Sequence, residues 1–85
     1  MNFQIKTPWK KVIHVHPMDN FSLELIWEDD KRSTIELNEL IHKKEILWRL
    51  RYPGYFKQVT VDELGGICWP EGEDLSPNYL LHHSG

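Results

Sequence analysis

The amino-acid sequence predicts a small α+β domain in which short helices cover one face of an antiparallel sheet of about five strands. Two observations lead to this fold class. In residues 21–27 apolar and polar side chains alternate, as they do in a strand that buries one face. The segments between the first three predicted strands are too short for the crossover that parallel pairing requires. We therefore expect a three-stranded meander followed by a C-terminal hairpin.

Length and composition predict one soluble domain. The 85 residues suffice for a single hydrophobic core, and 40% hydrophobic with 27% charged residues is ordinary globular composition. We assign residues 11–82 to the domain and residues 1–10 to an N-terminal lead-in without periodicity. The sequence contains no apolar run typical of a signal peptide or membrane span, and its single cysteine, Cys68, agrees with a reducing compartment. We expect a cytoplasmic protein with no membrane partner.

The meander is predicted from three short segments. The first strand covers residues 11–16, which are rich in β-branched residues, and ends at Pro17. The second covers residues 21–27 and the third residues 33–37. The buried face is predicted to consist of Phe21, Leu23, Leu25, Trp27, Ile35 and Leu37.

The middle of the chain predicts short helices. Asn38 is a suitable N-cap, and Glu39 and Lys43 lie at the ends of the predicted helix where each charge suits the helix dipole. The pattern of residues 46–50 does not distinguish helix from strand. After a Pro-Gly break, residues 55–56 are predicted to form one turn that packs on the sheet.

The C-terminal third predicts a hairpin and a helix. Residues 58–62 and 67–69 are the two strands, joined by a turn with a glycine pair. Pro70 ends the second strand because proline has no N–H for the ladder. Ser76 is the predicted N-cap of the terminal helix, and Pro77 its first residue.

The run Ile-Cys-Trp-Pro-Glu-Gly-Glu-Asp-Leu-Ser-Pro at residues 67–77 resembles the bacterial domain of unknown function 2442 family, as do the Leu-Asn-Glu-Leu and Tyr-Pro-Gly-Tyr-Phe-Lys-Gln-Val segments. The resemblance covers about residues 11–81. The chain departs from the family at Glu73, where relatives tend to have a small residue. We assign a structural motif to Trp69, Pro70, Gly72, Asp74, Ser76 and Pro77.

This resemblance implies a small α+β fold with no assigned enzymatic activity. It also implies relatives in bacteria and phage that are often encoded beside another small protein, in gene pairs suspected of acting like toxin–antitoxin modules. Some of these relatives carry a fused helix-turn-helix domain. The family supplies no catalytic residues for this chain, and we predict that it is not an enzyme.

Four histidines raise the question of a metal site. His14 and His16 are two residues apart on a predicted strand and project from one face, a spacing that metal sites use. His82 and His83 at the other end of the chain could join them. No sequence marker supplies the carboxylate or cysteine that usually completes such a site. We favour half-exposed strand histidines and predict no metal and no cofactor.

The acidic turn and the cysteine each have a catalytic and a structural interpretation. Glu71, Glu73 and Asp74 could form an acid–base pair. A carboxylate next to Gly72 can also accept backbone N–H bonds and fix the turn. We favour this structural role for Asp74 and expect Asp74→Asn to lower the melting temperature. Cys68 is expected to be a buried small hydrophobe rather than a nucleophile.

Two of the four tryptophans lie beside basic residues in less regular segments, which suits a protein interface, core packing or stacking of nucleic-acid bases. The candidate interaction surface consists of Trp9, Trp48, Arg49, Arg51 and Tyr52.

The leading functional hypothesis is a non-enzymatic binding module that engages a small protein partner or a second copy of itself. The alternative is a regulatory domain that acts at nucleic acid through a partner or through basic bands. Residues 1–11 and 37–57 each sum to +3, although the net charge is −3. A small metal-dependent enzyme is the third hypothesis, for which the sequence assembles no site.

Overall fold

The computed structural model describes residues 10–84, which form two three-stranded antiparallel sheets and short helices. The elements in chain order are β1 (Val12–Met18), β2 (Ser22–Trp27), β3 (Arg32–Glu36), α1 (Asn38–Lys43), a 3₁₀ helix (Glu45–Arg51), α2 (Pro53–Phe56), β4 (Thr60–Val61), β5 (Ile67–Cys68), β6 (Asp74–Leu75) and α3 (Pro77–His83). The α+β class and the meander are confirmed. The predicted lead-in lies almost entirely outside the described residues and stays a prediction.

The β1–β3 meander buries the face that alternation predicts. Val15 lies opposite Leu25, and Leu23 lies opposite Ile35. Leu23 and Leu25 are completely buried, whereas Glu24 between them is half-buried on the other face. Trp27 at the end of β2 is also buried, and its indole Nε1 donates to Ser33 Oγ at 2.8 Å. Period-two burial therefore sets the register of this sheet.

Both predicted ends of the first hairpin are wrong by one or two residues. β1 continues through Pro17 to Met18, because β1 is an edge strand and an edge tolerates a residue without an N–H. β2 begins at Ser22, since Asn20 and Phe21 adopt left-handed φ values of 60° and 56° in the turn. Phe21 is half-buried and still packs against the core, as predicted for its side chain.

A line of aromatic rings connects the two sheets. The Phe21 ring lies 5.4 Å from the Phe56 ring of α2, edge to face, and the Phe56 ring lies 6.0 Å from the Trp69 ring. The Trp69 indole also donates from Nε1 to the Phe56 carbonyl oxygen at 2.9 Å. Val12 N donates to the Gly65 carbonyl oxygen at 2.8 Å and joins the sheets through the backbone. The buried residues of both sheets thus belong to one hydrophobic cluster.

The prediction of Asn38 as an N-cap is wrong. α1 starts at Asn38 itself, and the cap position is Leu37, which makes no side-chain cap hydrogen bond. Leu37 is buried, and its N–H donates to the Phe21 carbonyl oxygen at 2.9 Å. Because of this contact, α1 starts one residue earlier than the preference of asparagine for the N-cap position predicts. Residues 46–50, which the sequence leaves open, lie in the 3₁₀ helix, with a kink at Leu47.

The second sheet has strands of two residues each and includes β6, which was not predicted. β6 pairs with β5, so the expected hairpin becomes a separate three-stranded sheet. Asp62 Oδ1 accepts from Leu64 N at 2.8 Å and from Gly66 N at 3.0 Å and fixes the turn between β4 and β5. A Cβ at Gly66 would collide with the Leu75 carbonyl oxygen, so the approach of β6 requires glycine there.

The terminal helix matches its prediction. Ser76 is the N-cap of α3, and its Oγ accepts from Tyr79 N at 3.1 Å. Pro77 is the first helical residue, a position whose N–H would have no acceptor within the helix, so proline costs no hydrogen bond there. The helix ends at His83, and Ser33 Oγ of β3 donates to Ser84 Oγ at 3.1 Å.

Candidate interaction surface

Three of the predicted surface residues come together at the end of the 3₁₀ helix. The Trp48 and Tyr52 rings lie 6.2 Å apart, edge to face, and the Arg49 guanidinium carbon lies 4.8 Å from the centre of the Trp48 ring. Trp48 is 45% exposed and Tyr52 is 62% exposed. We call these three residues the Trp48 patch.

The 3₁₀ helix is attached to the core on one side only, which leaves the patch on its other side exposed. Leu50 is buried in the core, whereas Trp48 on one side of it and Tyr52 on the other are exposed. Ile46 from the first turn is 79% exposed. Three large exposed side chains within residues 46–52 are unusual, because burial of such side chains normally stabilises the fold.

Arg51, also predicted for the surface, binds within the domain and makes no contact with the Trp48 patch among the described residues. Its Nε donates to the Ile41 carbonyl oxygen at 2.8 Å, and its Nη2 lies 3.0 Å from Glu45 Oε1. The guanidinium thus binds a carbonyl in the last turn of α1 and the first residue of the 3₁₀ helix. These contacts fix the angle between the two helices. The remaining predicted surface residue, Trp9, lies outside the described residues.

A cleft of about 320 Å³ lies next to the patch. One wall belongs to the 3₁₀ helix and the other to the acidic turn before β6. Ile46 and Arg49, from the same short helix as Trp48, line the first wall. The lining residues are Ile46, Leu47, Arg49, Glu71, Gly72, Glu73 and Asp74. We call this the Glu73 cleft.

The acidic turn is held by Tyr55 of α2. The Tyr55 hydroxyl donates to Glu73 Oε1 at 2.5 Å and accepts from Glu71 N at 2.8 Å. Arg49 Nη1 lies 3.4 Å from Glu73 Oε2, whose side chain is only 5% exposed. Burial and the hydrogen bond to Glu73 raise the pKa of Tyr55 above its usual value of 10.0. The hydroxyl therefore stays protonated and keeps both contacts at neutral pH.

Glu73, and not Asp74, is the structural carboxylate of the turn. Asp74 is exposed at the start of β6, and within residues 10–84 its carboxylate accepts no hydrogen bond. Its backbone pairs with Cys68, and the residue lines the same cleft as Glu73. The backbone N–H bonds expected for the Asp74 carboxylate thus go to other groups, and the predicted effect of Asp74→Asn on the melting temperature stays a prediction. The departure of position 73 from the family pattern was the sequence signal for Glu73.

The rest of the motif at residues 69–77 is structural. Trp69 is buried, and its N–H donates to the Glu73 carbonyl oxygen at 2.9 Å. Gly72 has a φ of 107°, which a side chain would disfavour, and its N–H donates to the Trp69 carbonyl oxygen at 3.0 Å. Pro70 lies exposed in the same turn, where the β5 strand has ended. The motif builds one wall of the Glu73 cleft.

The family can be assigned with this geometry in view. A family model described as "Protein of unknown function (DUF2442)" matches residues 12–85. The chain belongs to the DUF2442 family. No curated protein matches this DUF2442 chain.

One solved structure shares the fold of the DUF2442 chain. It is the crystal structure of a protein from Nitrosomonas europaea named "Putative DNA Binding Protein", with a TM-score of 0.70 and 17% sequence identity. The match covers 84% of this chain and 46% of the other, so the DUF2442 chain spans about half the length of that protein. At this identity the likeness shows the fold alone.

The histidines and Cys68 of the DUF2442 chain do not converge. The exposed His14 and His16 rings of β1 stack 6.5 Å apart, and the His83 ring stacks 4.1 Å from Tyr79. Across residues 10–84 no three side chains among His, Cys, Asp and Glu are grouped as metal ligands. Cys68 is half-buried, with Sγ 3.5 Å from Thr60 Oγ1.

The described part of the DUF2442 chain also bears on the membrane prediction. None of the helices in residues 10–84 has the length and apolar character needed to cross a bilayer. The predicted location in the cytoplasm stays a prediction.

Proposed function

We propose that this chain is a non-enzymatic binding module that engages a small protein partner in the cytoplasm through the Trp48 patch. The observation that carries the proposal is the exposure of Trp48 and Tyr52, together with Ile46, along the 3₁₀ helix and its C-cap. Exposed apolar patches on a small domain mark interaction sites. Tryptophan, tyrosine and arginine are also the residues that contribute most to protein interfaces.

The patch is organised before any partner binds. Trp48 contacts Tyr52 edge to face, and the Arg49 guanidinium lies over the Trp48 ring. Below them Leu50 is buried, and Arg51 connects the 3₁₀ helix to α1. Side chains that already have one arrangement lose less conformational entropy on binding, so the same contact area gives a tighter complex.

The partner that we propose to test first is the product of the neighbouring gene. The family resemblance implies that relatives are often encoded beside another small protein. Co-expression of the two proteins is expected to give one complex in size-exclusion chromatography. Independent migration of both proteins would contradict the proposal, and a shift of this chain alone to twice its mass would identify a second copy as the partner.

A matched pair of variants tests the surface. The double variant Trp48→Ala, Tyr52→Ala is expected to weaken the complex at least about a hundredfold, because each residue would be a central anchor. Leu64→Ala removes an exposed apolar side chain from the turn between β4 and β5 and is expected to leave the affinity unchanged. Circular dichroism checks that both variants fold. Equal affinities for all three proteins would place the interface elsewhere.

Nucleic-acid binding is the second candidate. The name of the Nitrosomonas europaea protein and the exposed Lys43, Lys44 and Lys57 of the basic band favour it. Arg49 and Arg51 favour it less, because each is already paired with a carboxylate. Affinity for duplex DNA that falls steeply with rising salt would support this candidate, and the absence of such binding would exclude it.

A further inference from the structure

We infer that the Glu73 cleft is a subsite for a basic side chain of the partner protein, a Lys or Arg flanked by apolar residues. The inference rests on the proposed function, since the cleft and the Trp48 patch share the 3₁₀ helix. Arg49 stands over the Trp48 ring and also lines the cleft, so the two form a continuous surface. A partner that covers Trp48 therefore also reaches the cleft.

The charge of the cleft selects the occupant. The residues that line it include three acidic ones, Glu71, Glu73 and Asp74, and one basic residue, Arg49. Glu73 is occupied by Tyr55 and Arg49, whereas Glu71 and Asp74 are exposed at the rim. The surplus of negative charge attracts an ammonium or guanidinium group and repels a nucleic-acid phosphate.

The apolar wall selects the rest of the side chain. Ile46 and Leu47 face the acidic turn across the cleft, and Ile46 is 79% exposed. Lys and Arg have long aliphatic stems that pack along apolar surface while the charged group stays near water. A basic residue would lay its stem against Ile46 and bring its cation to Glu71 and Asp74. The cleft of about 320 Å³ is large enough for one such side chain.

The acidic wall is rigid enough to discriminate. The Tyr55 hydroxyl holds the Glu71 backbone at 2.8 Å and the Glu73 side chain at 2.5 Å, and Gly72 between them is bonded to Trp69. The side chains of Glu71 and Asp74 therefore extend from a backbone turn that hydrogen bonds fix to the core. Fixed carboxylates lose little freedom when they bind a cation.

Selection from a random peptide library displayed on phage, with the wild-type chain as bait, tests the inference. The enriched peptides are expected to carry a Lys or Arg next to apolar residues. Each purified peptide is then titrated against the double variant Glu71→Gln, Asp74→Asn. We expect an affinity loss of at least about tenfold, since each bond to a charged group is worth more than a neutral one.

The matched control is the double variant Glu28→Gln, Asp30→Asn. It removes the same charge from exposed positions of the turn between β2 and β3, outside the cleft, and is expected to leave the affinity unchanged. Replacement of the peptide's Arg by the neutral isostere citrulline should cause the same tenfold loss as the cleft variant. A loss of equal size in both double variants would mean long-range charge only and would overturn the subsite.

The other outcomes separate this inference from the proposed function. Peptides that need Trp48 but neither their own cation nor the cleft carboxylates overturn the subsite and leave the Trp48 patch in place. Peptides that need the carboxylates but not Trp48 overturn the patch. No enrichment overturns both. Binding of labelled duplex DNA that Trp48→Ala abolishes would assign the surface to nucleic acid instead.

Discussion

The β1–β3 sheet and the β4–β6 sheet have three strands each, but different interactions hold them in place. In the first, strands of five to seven residues bury one face, and Leu23 and Leu25 are completely buried. In the second, each strand has two residues. In this second sheet, side-chain hydrogen bonds fix the turns. Asp62 accepts from two backbone N–H groups, and the Tyr55 hydroxyl accepts from the Glu71 N–H.

This difference determines which mutations each sheet tolerates. A sheet held by burial loses stability in proportion to the apolar volume removed. A sheet held by individual hydrogen bonds and close backbone approaches is sensitive to single atoms, such as a hydroxyl oxygen or an added Cβ. The four predictions below test this contrast, starting with the largest expected effect.

Leu25→Ala tests the first sheet. Leu25 is completely buried, so the variant leaves a cavity and is expected to lower the free energy of unfolding by about 2–5 kcal/mol in urea denaturation. Thr34→Ala on the exposed face of β3 is the control and is expected to lose no more than about 1 kcal/mol. Equal losses in the two variants would show that burial does not hold the meander.

Gly66→Ala tests the close approach of β6 to the turn before β5. The new Cβ meets the Leu75 carbonyl oxygen and Pro77 Cδ, so we expect a loss of about 1–3 kcal/mol in urea denaturation. Gly54→Ala in α2 is the control, because a Cβ there has no atom within 4 Å. It is expected to be neutral or to stabilise by up to about 1 kcal/mol. A neutral Gly66→Ala would mean that β6 can move away without loss.

Tyr55→Phe tests the hydroxyl that holds the acidic turn, and pH gives its signature. The unfolded tyrosine loses its proton near pH 10.0, whereas folded Tyr55 keeps it to higher pH. The stability from this hydroxyl is thus complete below pH 10.0 and is lost as pH rises through the raised pKa. The wild type should be more stable than Tyr55→Phe at neutral pH, with a gap that narrows above about pH 10.

Asp74→Asn is the control for Tyr55→Phe. It changes a carboxylate of the same turn that is exposed, so the free energy of unfolding is expected to stay within about 0.5 kcal/mol of the wild type. A difference in the free energy of unfolding between wild type and Tyr55→Phe that does not change with pH would contradict the role of the hydroxyl. A large loss in Asp74→Asn would instead support the structural role that the sequence predicts for Asp74.

Ser76→Ala has the smallest expected effect. Loss of the Ser76 N-cap of α3 should lower the free energy of unfolding by about 1 kcal/mol. Asn38→Ala is the matched comparison at the start of α1, where no side chain caps the helix, and should stay within about 0.5 kcal/mol. Urea denaturation of both variants checks that Ser76 caps its helix and Asn38 does not. A larger loss of stability for Asn38→Ala than for Ser76→Ala would contradict this.

The parts of the fold that follow local rules were predictable. Alternation identified the buried residues of β2 and β3, and the Ser-Pro pair identified the start of α3. The boundaries at Pro17, Phe21 and Asn38 were not predictable. Each depends on a neighbour in space: the free edge of β1, the packing of the Phe21 ring, and the bond from Leu37 to the Phe21 carbonyl.

The candidate surface was predictable in part. A tryptophan beside basic residues indicated Trp48 and Arg49, but the same pattern selected Arg51, which binds the α1 carbonyl instead. The Glu73 cleft had only a faint signal, a glutamate where the family tends to have a small residue. Its second wall comes from residues more than twenty positions earlier in the chain. Sequence spacing does not show that such segments meet.

The sequence alone determined the α+β class, the inner face of the meander and the helix start at Ser76, because these follow from periodicity and from the hydrogen-bonding capacity of single residues. Tertiary structure decided the division into two sheets, the exposure of Trp48 and Tyr52, and the choice of Glu73 over Asp74. The physical reason is that burial and pairing of a polar group depend on which distant segment lies beside it.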